Sequence, residues 1–124
     1  VIVTTNMFGD ILTDEAAGLV GGLGMAPGVS AGPAHAMAQA THGSAPDIAG
    51  RNIANPYAMI MSGKMLLEWL GRRHDDAAAV RGAELIERAV DRVIAQRHGL
   101  TPDLGGGGTT TTMGDAIATA VRAD

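Results

Sequence analysis

Three aromatic side chains, Phe8, Tyr57 and Trp69, are all that this chain of 124 residues has for filling an interior. Hydrophobic residues still make up 46% of it, so a core has to be built from Ala, Val, Ile, Leu and seven Met. Small and flexible side chains reach native packing density when helices approach one another closely, so alanine-rich helical packing is the natural solution. The length suits one domain and not two.

Periodicity places the elements. Val1-Ile2-Val3-Thr4-Thr5 reads as a buried β-strand already under way at the first residue, as in a piece cut from a longer protein. Asn6 to Asp10 reads as a turn. A helix is expected from about Asp10 to Leu19, with Ile11, Leu12, Ala16 and Leu19 near one stripe and Gly18, Gly21, Gly22 and Gly24 ending it. Residues 24–34 read as an irregular loop, and Ala34 to Gln39 is open between short helix and strand. Asn55 as N-cap and Pro56 at the first helical position start a second helix, expected to be apolar nearly all round, deeply buried, and stopped at Gly71. A third spans roughly Asp75 to Arg97, with acid at its start, base at its end, and Val80, Ala83, Ile86, Val90, Val93 and Ile94 facing inward. Thr112 followed by Asp115 is a capping signal for a last short helix. The glycine run Gly105–Gly108 reads as a flexible connection, with an anion site as the lesser alternative.

Charge and cysteine content exclude several classes. A net charge of -4, with no local run of Lys and Arg, argues against a general electrostatic grip on nucleic acid. The absence of cysteine removes disulfides and zinc–thiolate sites, which fits a cytoplasmic setting. The apolar stretches are broken well before the roughly 18 residues of a membrane span, and no signal peptide opens the chain.

Two groups of residues carry candidate chemistry. Asp10 and Asp14, four apart, share a helix face, and two adjacent carboxylates suit a hard divalent cation such as Mg²⁺ or Mn²⁺. The competing explanation is a helix N-terminus that favours acid. In the loop from His42 to Asn55, the small residues Gly43, Ser44 and Ala45 allow a ligand close to the backbone, whose N–H groups suit phosphate. Asp47 offers an acceptor for a ribose diol and repels a 2′-phosphate, which favours NAD over NADP. An ordinary surface loop is the alternative. His35, His74 and His98 show no metal-ligand spacing, and Lys64 and Glu68 are spaced to pair on one helix.

Taken in order, these segments resemble the isocitrate/isopropylmalate dehydrogenase family. Asn6-Met7-Phe8-Gly9-Asp10-Ile11-Leu12-Thr13-Asp14 is similar to its N-x-F-G-D-I-L-S-D motif. His42-Gly43-Ser44-Ala45-Pro46-Asp47-Ile48-Ala49-Gly50, with Ala54-Asn55-Pro56, is similar to its cofactor loop. Asp103-Leu104-Gly105-Gly106 is similar to its C-terminal D-L-G-G segment. The resemblance implies the family's own α/β fold, seen here as a helix-rich C-terminal fragment. Residues 1–20 would end the smaller, dimer-forming domain, and residues 21–124 would belong to the larger, cofactor-binding domain. It implies that Asp10 and Asp14 bind Mg²⁺ or Mn²⁺, that His42, Gly43, Ser44, Ala45, Pro46, Asp47 and Ile48 form the adenosine-side loop, and that Asn55 contacts adenine. NADP-using members carry lysine and tyrosine in place of Asp47-Ile48, so NAD is the implied cofactor.

The implied reaction is oxidative decarboxylation of a 2-hydroxy acid, by a homodimer or higher homo-oligomer. Gly21-Gly22-Leu23-Gly24-Met25-Ala26-Pro27-Gly28 leans toward isocitrate, with 3-isopropylmalate as the alternative, and homoisocitrate or tartrate further off. Gln39 departs from the family's usual Glu. The family's substrate-binding serine and arginines, and its catalytic tyrosine and lysine, have no counterpart here, so the chain by itself is expected to hold no catalytic residue and to be inactive. A nucleotide-binding subunit without chemistry, or a folding module, remains a rival; retention of both aspartates weighs against the former.

Overall fold

The computed structural model describes residues 1–124. Its elements are α1 (Asn6–Leu19), β1 (Pro27–Ala31), β2 (Ala36–Ala40), α2 (Tyr57–His74), α3 (Ala77–Ala95) and α4 (Thr110–Arg122), with short 3₁₀ turns at Leu23–Met25, Pro46–Ile48 and Pro102–Leu104. The helices pack in sequence, α2 on α3 and α3 on α4, while the β1–β2 hairpin lies across α2. The two strands are antiparallel, with Val29 opposite Ala38.

The core is as poor in aromatics as the composition requires. Ala89, Val90, Val93, Leu100, Met113 and Ile117 form its centre, with Tyr57 only partly buried at the edge. Of the stripe expected on α3, Ala83, Val90 and Val93 are buried, and Ala89 joins them. Asp76 caps this helix by accepting from the N–H groups of Ala78 (2.8 Å) and Ala79 (3.2 Å).

Several expectations are corrected. Val1–Thr5 is not a strand: β1 and β2 pair only with each other, and without a partner ladder the segment stays extended and exposed, Val3 at 89%. Residues 24–34 are not irregular throughout, because they contain β1. Helix α1 starts at Asn6, where the Gly9 N–H already donates to the Thr5 carbonyl at 2.9 Å, so Asn6–Gly9 is its first turn, Asp10 follows in the second, and neither is a preceding loop.

Helix α2 runs through Gly71 to His74 and closes at Asp75, whose φ is +52°. Gly71 is where α3 crosses: a Cβ there would stand 2.6 Å from Val80 Cγ2 and 2.9 Å from its nitrogen. The same helix is buried along one side only, at Ala58, Ser62 and Gly71, and Met59 is 55% exposed. The hairpin and α3 cover part of its circumference and leave the rest to solvent.

Helix α4 is capped by Thr109, not Thr112. The Thr109 hydroxyl accepts from the Thr112 N–H (3.1 Å), and the Thr112 hydroxyl accepts from the Thr109 N–H (2.7 Å), a reciprocal capping box.

The largest correction concerns Gly105–Gly108. The run is a packed crossing, not a loose linker. The Gly106 N–H donates to the Thr101 carbonyl (3.1 Å) and the Gly108 N–H to the Leu100 carbonyl (2.8 Å). A Cβ on Gly106 would meet the Leu100 Cβ at 2.7 Å and its carbonyl carbon at 2.6 Å. Gly106 and Gly108 are there because two backbones touch.

Candidate functional site

Between the Leu23–Met25 turn, the His42–Asn55 loop, Asp103 and the start of α4 lies a cleft of about 760 Å³, large enough for a nucleotide-sized ligand. Of the residues singled out in the sequence, His42, Gly43, Ser44, Ala45, Ile48 and Asn55 line it; Pro46 and Asp47 do not. Asp47 sits on the Pro46–Ile48 turn between lining residues, exposed to solvent.

The loop's shape follows from its residues. Ala45 adopts φ +45°, a left-handed conformation that costs a non-glycine residue about 1 kcal/mol and clusters at ligand sites. It turns the chain into the 3₁₀ turn at Pro46. Gly43 has nothing within 4 Å of where a Cβ would be, so the backbone is open to a ligand. The His42 ring is half-buried, with Nδ1 3.0 Å from the Gly43 carbonyl. A carbonyl only accepts, so Nδ1 carries the proton, and in the neutral ring Nε2 is left as an acceptor.

Asn55 is buried at 9% exposure and its side chain is fully engaged. Its Oδ1 accepts from the Tyr57 N–H (2.9 Å) at the start of α2, but the N-cap position falls on Pro56, one residue later than the sequence predicts. Its Nδ2 donates to Asp103 Oδ2 (2.8 Å) and lies 3.5 Å from Met25 Sδ. The cleft's far wall is tied to α4. The Thr110 N–H donates to the Asn52 carbonyl (2.9 Å) and the Thr110 hydroxyl to the Ala54 carbonyl (2.5 Å). Asn52 Oδ1 accepts from both the N–H (3.2 Å) and the hydroxyl (3.1 Å) of Thr111. Asn52, Asp103 and Thr110 line the cleft and were not picked out as site residues in the sequence. In the sequence Asp103 stands out only as part of the D-L-G-G segment, and nothing local to Asn52 or Thr110 reveals a partner more than fifty residues away.

Asp10 and Asp14 lie elsewhere, both exposed on α1. The first turn of α1 holds no acid, so stabilisation of a helix N-terminus does not account for them. Between them, the Thr13 hydroxyl donates back to the Gly9 (2.9 Å) and Asp10 (3.0 Å) carbonyls. No third His, Asp or Glu joins the pair. Two open carboxylates on one face suit a hard cation as part of a ligand set, with the other ligands coming from outside the chain. The rest of that helix surface is apolar and open: Met7 and Phe8 are each 61% exposed and Ile11 53%. Helix α1 touches the remaining elements chiefly through the Leu23–Met25 turn.

The chain thus combines a cleft of nucleotide size, walled by a glycine- and alanine-rich loop, with a separate exposed carboxylate pair on α1 of an α/β fold. Residues 1–117 match the family model for isocitrate/isopropylmalate dehydrogenase, and the chain belongs to that family. It is 50% identical over 122 residues to the isocitrate/homoisocitrate dehydrogenase of Thermus thermophilus, an alignment covering 98% of this chain and 34% of that protein. It is also 50% identical over 117 residues to the 3-isopropylmalate dehydrogenase of Methanothermobacter thermautotrophicus, covering 94% and 33%. Among solved structures, the isocitrate dehydrogenase of Methylococcus capsulatus superposes with a TM-score of 0.83 at 50% identity, over 94% of this chain and 33% of that one. The chain thus spans about a third of the length of the relatives it matches. No helix is long and apolar enough to cross a membrane.

Proposed function

We propose that the full-length protein carrying these residues performs NAD-dependent oxidative decarboxylation of a 2-hydroxy acid, with isocitrate favoured. The observation that carries this is the cleft: six of the eight residues that the resemblance assigns to the cofactor line one nucleotide-sized space. In this reading the open backbone at Gly43–Ala45 donates to the phosphates. The His42 ring, half-buried and oriented by the Gly43 carbonyl, walls the adenosine. The Asn55 side chain is already committed to Tyr57 and Asp103, so its main chain meets the base. Asp47, exposed beside the cleft, accepts from the ribose hydroxyls and turns away a 2′-phosphate.

Asp10 and Asp14 would hold Mg²⁺ or Mn²⁺ on the open face of α1. There the ion would supply Lewis acidity toward the substrate's oxygens for decarboxylation, and NAD⁺ held in the cleft would supply the hydride acceptor for oxidation of the hydroxyl-bearing carbon. The exposed apolar surface beside the aspartates supports a second subunit of a homodimer, or the rest of the smaller domain, closing over them. The weak attachment of α1 supports assigning residues 1–20 to that smaller domain and residues 21–124 to the larger one. Isolated from those neighbours, the chain would not turn over substrate.

The isocitrate preference rests on the resemblance at Gly21–Gly28, Ala40–His42 and Thr109–Thr112. Equal identity to an isopropylmalate dehydrogenase keeps that substrate as the second reading. The test is NADH formation by the full-length protein with D-isocitrate and with 3-isopropylmalate, each with Mn²⁺ and with EDTA. Metal-dependent turnover of isocitrate is expected. Turnover of 3-isopropylmalate alone reverses the substrate order, and turnover of neither rejects the reading.

A further inference from the structure

Asn55 and Asp103 are 48 residues apart in sequence and both line the cleft, joined by a 2.8 Å hydrogen bond. We propose that Asp103 is a positioning residue of the nucleotide cleft, acting through Asn55. The inference rests on the reading of this cleft as the adenosine site.

The orientation of a side-chain amide is decided by its partners. Oδ1 of Asn55 faces an N–H, that of Tyr57 at 2.9 Å, and Nδ2 faces the carboxylate of Asp103. A flipped amide would set NH₂ against N–H and carbonyl against carboxylate, so two independent partners enforce one orientation. A carboxylate acceptor makes this a charge-assisted bond, stronger than an amide–carbonyl one. The pair is seated on a third segment of the cleft, since a Cβ on Gly24 would meet Asn55 Cβ at 3.4 Å and Asp103 Oδ2 at 3.5 Å.

Asp103 is itself presented by a rigid turn. The Leu104 N–H donates to the fully buried Thr101 (3.0 Å) and the Gly105 N–H to Pro102 (2.9 Å). Asp103 therefore fixes the start of α2 and the main chain at residues 53–55 against Gly24. If the orientation is lost, the surface offered to the base shifts while the carboxylate pair on α1 is untouched.

The bond's polarity gives the test, made in the full-length protein with ADP-ribose as probe and calorimetry as readout, alongside steady-state kinetics. Asn55→Asp keeps an oxygen for the Tyr57 N–H but sets two carboxylates face to face. It should weaken ADP-ribose at least about tenfold and raise KM for NAD in step, with kcat and KM for the hydroxy acid changing far less. Asn55→Asp combined with Asp103→Asn restores a donor and an acceptor in reversed order, and should return affinity to within about threefold of the parent. Asp103→Ala, at an exposed position where folding is secure, should fall between the two. The inference is overturned if the double variant binds as weakly as Asn55→Asp, if no variant changes ADP-ribose affinity, or if the hydroxy-acid KM rises as much as that of NAD. Failure of the folded parent protein to bind ADP-ribose rejects the cofactor reading itself, and this inference with it.

Discussion

Replacing single glycines in Gly105–Gly108 discriminates a packed crossing from a flexible link. Gly106→Ala places a methyl group 2.6 Å from the carbonyl carbon of Leu100 and 2.7 Å from its Cβ, well inside the ordinary van der Waals range, and backbone cannot rotate away as a side chain can. Either the 105–108 segment or the Leu100 segment has to move. Movement breaks the bonds from Gly106 to Thr101 and from Gly108 to Leu100, each worth about 1 kcal/mol net. It also draws Leu100, 3% exposed and in contact with the central cluster, partly out of the core, at a further cost of about 1 to 2 kcal/mol. The total is about 3 to 4 kcal/mol, a large share of a typical domain's stability. Gly107 is the internal control: nothing lies within 4 Å of its Cβ position and its φ is not in the left-handed region, so Gly107→Ala should stay within about 0.5 kcal/mol. Urea unfolding of the two full-length variants, followed by tryptophan fluorescence and circular dichroism, reads the difference. With slopes of a few kcal/mol per molar, Gly106→Ala should lower the midpoint on the order of 1 M relative to Gly107→Ala. Equal midpoints would refute the packed crossing and restore the flexible linker.

Three further outcomes follow from the site and the surface. Asp10→Asn in the full-length protein should raise the Mn²⁺ concentration for half-maximal activity at least about tenfold, with Asp14→Asn alike; an unchanged metal titration would remove both from the ligand set. Asp47→Lys should move the ratio of kcat/KM for NAD over NADP toward NADP by about tenfold or more; a fixed ratio would show that Asp47 does not reach the ribose. Lys64 lies between Glu68 (3.1 Å) and Glu87 (3.2 Å). The Lys64 hydrogen bond and charge hold the Glu68 carboxyl below its ordinary range. Burial pulls Lys64 down, but its bonds to the two glutamates outweigh this and hold it above its ordinary range. The depressed Glu68 contributes stability above its unfolded pKa that fades as pH falls through its folded value. The raised Lys64 contributes below its unfolded pKa, and that part is lost as pH rises through its folded value. Lys64→Met should therefore cost about 0.5 to 1 kcal/mol at neutral pH and progressively less toward acid; a pH-independent loss would assign the effect to packing alone.

Local signals carried much of the fold. The helical repeat and the charged ends of α3, the start of α2 beside Asn55 and Pro56, and the pairing of Lys64 with Glu68 need only neighbours within a turn or two, so they are legible in the order of residues. The same holds for Asp10 and Asp14 as a pair and for the small residues of the His42–Ile48 loop. What failed were judgements about partners. Val1–Thr5 has the composition of a strand, but a strand is made by the chain beside it, and none is present here. Residues 27–31 read as loop because Pro27 and Gly28 mask a strand that exists through its pairing with Ala36–Ala40.

The sequence alone determined that the interior would be aliphatic and helical, where α2 and α3 begin to within two residues, and which family the chain belongs to, because each of these is set by residue type and short spacing. Tertiary structure decided the rest. It brought Asp103 onto Asn55 and Thr110 and Thr111 onto the 52–54 loop, building a cleft wall from residues more than forty positions apart. It turned Gly71 and Gly106 from apparent helix stop and linker into places where another segment's backbone comes too close for a Cβ. Contacts of that kind depend on how three segments meet in space, and no local pattern encodes a distance between chains of residues that have yet to fold together.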